Sequence, residues 1–188
     1  MRLALLIASA ALIAAPVAAA AQTVIPLQKF ESVELNGGGS VVIRQAPVQR
    51  VTLRKGSTEF TSLEVSDRGR LVIHACNRHC PHHYDLEIEI ETPSVTGAAV
   101  NGGGLIEASA PFRPQSAISA AVRGGGKVDV RAVPASAVSA SVQGGGVVLV
   151  LAQTSLSAAV SGGGAIHYAG QPSLSTAVHG GGSVSPIH

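Results

Sequence analysis

Apolar and polar residues alternate along most of this chain, and from Ala98 onward the alternation is locked to a repeated phrase: AAVNGGGLI, AAVRGGGKV, ASVQGGGVV, AAVSGGGAI and TAVHGGGSV. The glycine triplets begin at Gly102, Gly124, Gly144, Gly162 and Gly180, at spacings of 22, 20, 18 and 18 residues, and an outlying copy, VELNGGGSVV, begins its triplet at Gly37. Two residues before each triplet stand Leu35, Val100, Val122, Val142, Val160 and Val178, and four after its start stand Val41, Ile106, Val128, Val148, Ile166 and Val184. Small or apolar residues also fall four before (Ala98, Ala120, Ala140, Ala158) and six before (Ile118, Val138, Leu156, Leu174). A period of two predicts strands. The residues immediately preceding the triplets, Asn36, Asn101, Arg123, Gln143, Ser161 and His179, are polar in every copy, as an outward column requires.

A helix cannot carry this text, because each of three consecutive glycines would cost about 1 kcal/mol relative to alanine. A unit of about 20 residues cannot bury its own apolar face, but units stacked about 4.8 Å apart place each valine over the next. The pattern therefore predicts an all-β, parallel β-helix of the solenoid kind, built from coils of 18 to 22 residues that turn at Gly37, Gly102, Gly124, Gly144, Gly162 and Gly180. Prolines at 111, 114, 134 and 172 lie between repeats, where a missing N–H does least harm.

Residues 1–21 have the form of a secretory signal: Arg2, an apolar run from Leu3 to Ala15, Pro16, then small residues up to Ala21. The run is too short for a stable membrane span. Residues 22–188 are expected to form one domain, with a charged opening or capping part at 22–96 and regular coils at 97–188. Seventeen of the 24 Lys, Arg, Asp and Glu lie in the first part, six lie in 97–131, and none lies in 132–188. The mature chain carries 12 basic and 11 acidic residues, a balance that makes nucleic acid an unsuitable partner. In the charged part, VTLRK at 51, the LEVSDRGRLVIHA stretch at 63 with its turn at Asp67-Arg68-Gly69, and DLEIEIE at 85 read as strands with charged outer faces.

The succession of a first GGG coil, a charged strand region ending in LEIEIETP (Leu86 to Pro93) and then serial GGG coils resembles the bacterial head GIN domain, a family labelled putative auto-transporter adhesin. The resemblance implies a right-handed, single-stranded parallel β-helix in an exported bacterial protein with no established enzymatic activity, and it supplies no functional residues. Unlike an autotransporter, the sequence shows no membrane barrel of alternating strands with aromatic girdles.

The densest local chemistry is His74-Ala-Cys76-Asn-Arg-His79-Cys80-Pro-His82-His83. In an exported chain, Cys76 and Cys80 are expected to form a disulfide that pins a connection between strands. The alternative is a metal site drawn from His74, Cys76, His79, Cys80, His82 and His83, since thiolates and imidazoles suit zinc and copper; the C-x3-C spacing and oxidation of both sulfurs oppose it. A second constellation arises five residues after the triplet start, an outward column in which Glu107 and Asp129 fall on adjacent coils. Two carboxylates so placed could serve a glycan-acting enzyme, although Lys127 and Arg131 flank Asp129 on the same face. GGGK at 124–127 lacks the Ser/Thr and the leading glycine of a phosphate loop, and no G-x-S-x-G or H-E-x-x-H occurs. The sequence thus reads as a non-enzymatic, cofactor-free β-solenoid, periplasmic or on the surface of a Gram-negative bacterium. It would act in adhesion, envelope structure or binding of a glycan or protein ligand, and its uncharged C-terminal edge would pair with another chain.

Overall fold

The computed structural model describes residues 22–77, 79–109 and 111–187; the secretory signal read at 1–21 lies outside them. The described residues are all-β. The strands are β1 (Thr23–Ile25), β2 (Ser32–Gly37), β3 (Ser40–Gln45), β4 (Arg50–Lys55), β5 (Ser62–Val65), β6 (Arg70–His74), β7 (Glu87–Thr92), β8 (Gly97–Gly102), β9 (Leu105–Ala108), β10 (Gln115–Gly124), β11 (Lys127–Asp129), β12 (Ala135–Gly144), β13 (Val147–Gly162), β14 (Ala165–Ala169), β15 (Ser173–His179) and β16 (Ser183–Pro186). Together they form one sixteen-stranded sheet.

Two ladders make up this sheet. One runs β1-β4-β7-β3-β9-β11-β13-β14-β16, the other β5-β6-β2-β8-β10-β12-β13-β15, and the long strand β13 belongs to both. Each glycine triplet is the corner where the chain leaves the second ladder for the first. Pairing between coils is parallel and in register: Val100, Val122, Val142, Val160 and Val178 lie side by side on one ladder, and Ile106, Val128, Val148, Ile166 and Val184 on the other. Both columns are fully buried up to Val160 and Ile166.

The spacings of 22, 20 and 18 residues arise at the opposite corner. There, residues 111–114 and 130–134 are irregular, whereas in the first of the two 18-residue coils β13 runs straight through and absorbs the corner as a register shift against β12. The second 18-residue coil turns through only residues 170–172, so the coils shorten as this corner tightens.

The charged part does not simply precede the repeats in space. The first glycine coil, β2 and β3, stacks directly on β8 and β9, and the strands that follow it in sequence, β6 and β7, stack on its other side. Beyond them, β5 closes one ladder and β4 with β1 closes the other, all antiparallel. The coil made by β6 and β7 has no glycine corner: Ala75 lies against Gly37 and Leu86 against Gly39 in its place.

The corner geometry explains the triplet. In the coil at 144, the first glycine has φ of 116°, and a Cβ built on it would lie 2.7 Å from the carbonyl oxygen of Gly124. That carbonyl in turn accepts the N–H of Gly145 at 3.0 Å. The third glycine, Gly146, would place a Cβ 2.6 Å from the carbonyl oxygen of Gly126. The middle glycine, Gly145, would meet nothing within 4 Å. Close stacking of corner on corner requires the outer two glycines and leaves the middle one free of contact.

Candidate functional site

The six residues that precede the triplets form a continuous outward column on the second ladder, at least partly exposed throughout. Its N-terminal end is a connected polar network across three strands. Asn101 donates its side-chain N–H groups to Glu34 Oε1 at 2.9 Å and Asn36 Oδ1 at 2.8 Å, and Arg70 Nη1 donates to Glu34 Oε2 at 2.8 Å. Next along the column come Arg123 and Gln143, both exposed. Beside them Gly97, Ala99 and Ala121 form a low floor, so that this stretch of the face is a shallow groove of about 380 Å³ with hydrogen-bonding walls and no aromatic lining. Parallel stacking positions every one of these groups, since register matches outward residue to outward residue on each coil.

Glu34 is the member that the repeat pattern concealed. It stands three before its triplet, where the other copies carry Ala99, Ala121, Ser141, Ala159 and Ala177. Its departure from an otherwise small-residue column was the available signal.

Glu107 and Asp129 do pair across adjacent strands, as the spacing predicts. Their environments differ. Glu107 is exposed, whereas the Asp129 side chain, in the same outward column, is only 8% exposed. Arg131 folds back over it, Nε to Oδ1 at 2.8 Å and Nη2 to Oδ2 at 2.6 Å. Burial pushes the Asp129 carboxyl up, but the bonds from Arg131 outweigh it and hold the group below the usual carboxylate range. The same pairing raises the Arg131 guanidinium. A carboxylate held in a bidentate ion pair is neither a free nucleophile nor an acid at neutral pH. Further along that column His167 Nδ1 lies 2.9 Å from Ser185 Oγ, with Leu149 between this pair and Asp129.

Cys76 and Cys80 are joined by a disulfide within the loop that replaces the glycine corner. His74, His79, His82 and His83 are exposed around it, and among the described residues no group of three or more His, Cys, Asp or Glu is gathered as a metal would need. The loop is anchored by a residue the sequence pattern did not single out. The Tyr84 hydroxyl accepts the Ser57 N–H at 2.8 Å and lies 2.7 Å from Thr61 Oγ1, and its ring meets Phe60 edge-on at 5.6 Å.

Residues 115–172 match the family described as "putative auto-transporter adhesin, head GIN domain". The match spans β10 to β14, the heart of the repeat. The fold is also that of a "putative adhesin" of Bacteroides fragilis, which is 17% identical, with a TM-score of 0.54 over 88% of this chain and 96% of that one. More distant are a "putative lipid binding protein" of Parabacteroides distasonis (15% identity, TM-score 0.39, 89% and 96% covered) and a "putative cell adhesion protein" of Clostridium sporogenes (11%, 0.40, 88% and 97%). No curated protein matches the sequence. The chain is thus similar to adhesin-like proteins, and among its described residues no helix is long and apolar enough to cross a membrane.

Proposed function

We propose that this protein is an exported, non-enzymatic adhesin-like module that presents the outward column of its second ladder to a polymer of the bacterial envelope or cell surface, a glycan or a protein. On this reading residues 1–21 are removed on export to the periplasm or surface of a Gram-negative cell, and 22–188 are one domain. The stack is a right-handed parallel β-helix, the hand that nearly all strand-crossover-strand connections take. One observation carries the functional reading: polar side chains from Asn36 to Gln143 repeat in register beside a floor of small residues, a flat rack of hydrogen-bonding groups suited to an extended ligand. The capture of Asp129 by Arg131 supports the non-enzymatic reading over a glycan-acting one.

Binding of the exported protein to an array of envelope glycans and to intact cells tests this. Arg123→Ala combined with Gln143→Ala is expected to lower binding at least tenfold while leaving the β signal in circular dichroism unchanged. Undiminished binding by that variant would remove the column from the reading, and turnover of a glycan would reverse it.

A further inference from the structure

The inner columns fail at one place. Leu174 and Val178 continue the buried series Ile118, Val138, Leu156 and Val122, Val142, Val160, yet they are 48% and 43% exposed, and Thr176 between them is exposed as well. Among the described residues β15 pairs only with β13, so one whole edge of it, with its apolar side, is unpartnered. We propose that this edge is a self-association surface, on which β15 pairs antiparallel with β15 of a second copy about a twofold axis through Thr176. The inference goes beyond the ligand-binding reading above and does not depend on it.

Three observations select a second copy as the occupant. The segment from 132 onward contains no Lys, Arg, Asp or Glu, so twofold-related edges meet without like-charge repulsion and offer no charge for an acidic or basic partner to recognise. The parity is self-complementary. An axis through residue 176 sets Leu174 opposite Val178 of the second copy and Thr176 opposite its own mate, so all three inward positions remain on one side and the interior of one coil continues into the other. A head-to-tail arrangement is disfavoured, because the opposite end of the stack is finished by antiparallel β1 and β5 and by charged strands. On the other ladder Pro186 ends β16 with a residue that has no N–H, which leaves β15 as the principal edge.

Light scattering of the full exported chain at tens of micromolar is expected to give twice the monomer mass. Thr176→Cys should form an intermolecular disulfide across the axis under mild oxidation, whereas Arg68→Cys at the far hairpin should not. Ser175→Lys with Ala177→Lys, both outward and facing each other across the axis, should return the chain to monomer with its circular dichroism intact. A monomeric unaltered chain overturns the proposal, whether the β15 amides then exchange freely or are shielded by another segment. So does a dimer that ignores the lysine pair and does not cross-link at 176.

Discussion

At its N-terminal end the stack is closed by strands that reverse direction, by a disulfide-tied loop in place of a glycine corner, and by ion pairs on the outer face: Arg44 and Arg54 with Glu89, Lys55 with Glu87, Arg50 with Glu91. Toward the other end the coils become shorter and lose all charge, and among the described residues one edge of β15 is unpaired. The two regions use different means against the same hazard, an open sheet edge. Residues 22–96 blunt it with antiparallel caps and charge, while residues 97–187 pass their apolar columns from coil to coil. Stability in the repeats should therefore rest on burial and on the glycine corners. In the cap it should rest on local anchors, since individually exposed ion pairs contribute little.

The largest expected effect is a charge placed inside the repeats. Val142→Asp buries a carboxylate between Val122 and Val160 with no cation in reach, and a loss of more than about 4 kcal/mol is expected, enough to unfold a domain of ordinary stability. Gln143→Asp, one residue away and outward, should change the thermal midpoint little. Comparable melting of the two variants would sink the assignment of inner and outer columns.

Next comes the corner. Gly144→Ala must adopt a positive φ and push against the Gly124 carbonyl, a combination expected to cost on the order of 2–3 kcal/mol, whereas Gly145→Ala should stay within about 0.5 kcal/mol of the parent. Chemical denaturation of the pair checks this. Equal effects would show that the triplet serves chain flexibility and not coil contact.

In the cap, replacing Cys76 and Cys80 together by serine opens a five-residue ring, for which chain entropy suggests a loss of about 2 kcal/mol. The loss should be local. Hydrogen exchange is expected to quicken in residues 75–86 and β5–β6, while β10–β13 keep their protection, because the repeats do not lean on that loop. A uniform loss of protection across both regions would mean that cap and repeats unfold as one unit.

These contrasts show what the sequence could disclose. The valine columns and the outward polar column were legible because stacking in register writes the same parity into every copy. The position of the first coil was not: β6 and β7 lack a triplet, so nothing in the text announced that they stack beyond β2 and β3 and complete a coil of their own. The exposure of Val178 was hidden for a related reason. A column residue is buried only when a coil lies on each side, and position in the phrase carries no information about being last. Tyr84 lies in a loop outside the repeat, where no column could reveal it, whereas Glu34 could be read only as a departure from its column and Arg131 only as a flank of Asp129.

The smallest expected effect sits at that border, in the last acidic residue before the uncharged coils. Asp129 is paired with Arg131, and its carboxyl is held below the usual range in the folded chain. A depressed folded pKa adds stability that is present above the unfolded value of about 3.9 and is lost as pH falls through the lower, folded value. Asp129→Asn keeps the shape and one acceptor for Arg131 but discards the charge, and the expected cost at pH 7 is about 1 kcal/mol. The difference between parent and variant should be constant from neutral pH to about pH 5, shrink below about pH 4 and be smallest in strong acid. Arg131→Ala is expected to cost more, because it leaves a buried carboxylate with only the Lys127 ammonium 3.9 Å away in place of removing it. Denaturation midpoints of the three chains measured from pH 7 to pH 2 would decide the matter. A parent-to-Asp129→Asn difference that grows on acidification would mean that the carboxyl is protonated more readily when folded, and that burial at this border outweighs the arginine.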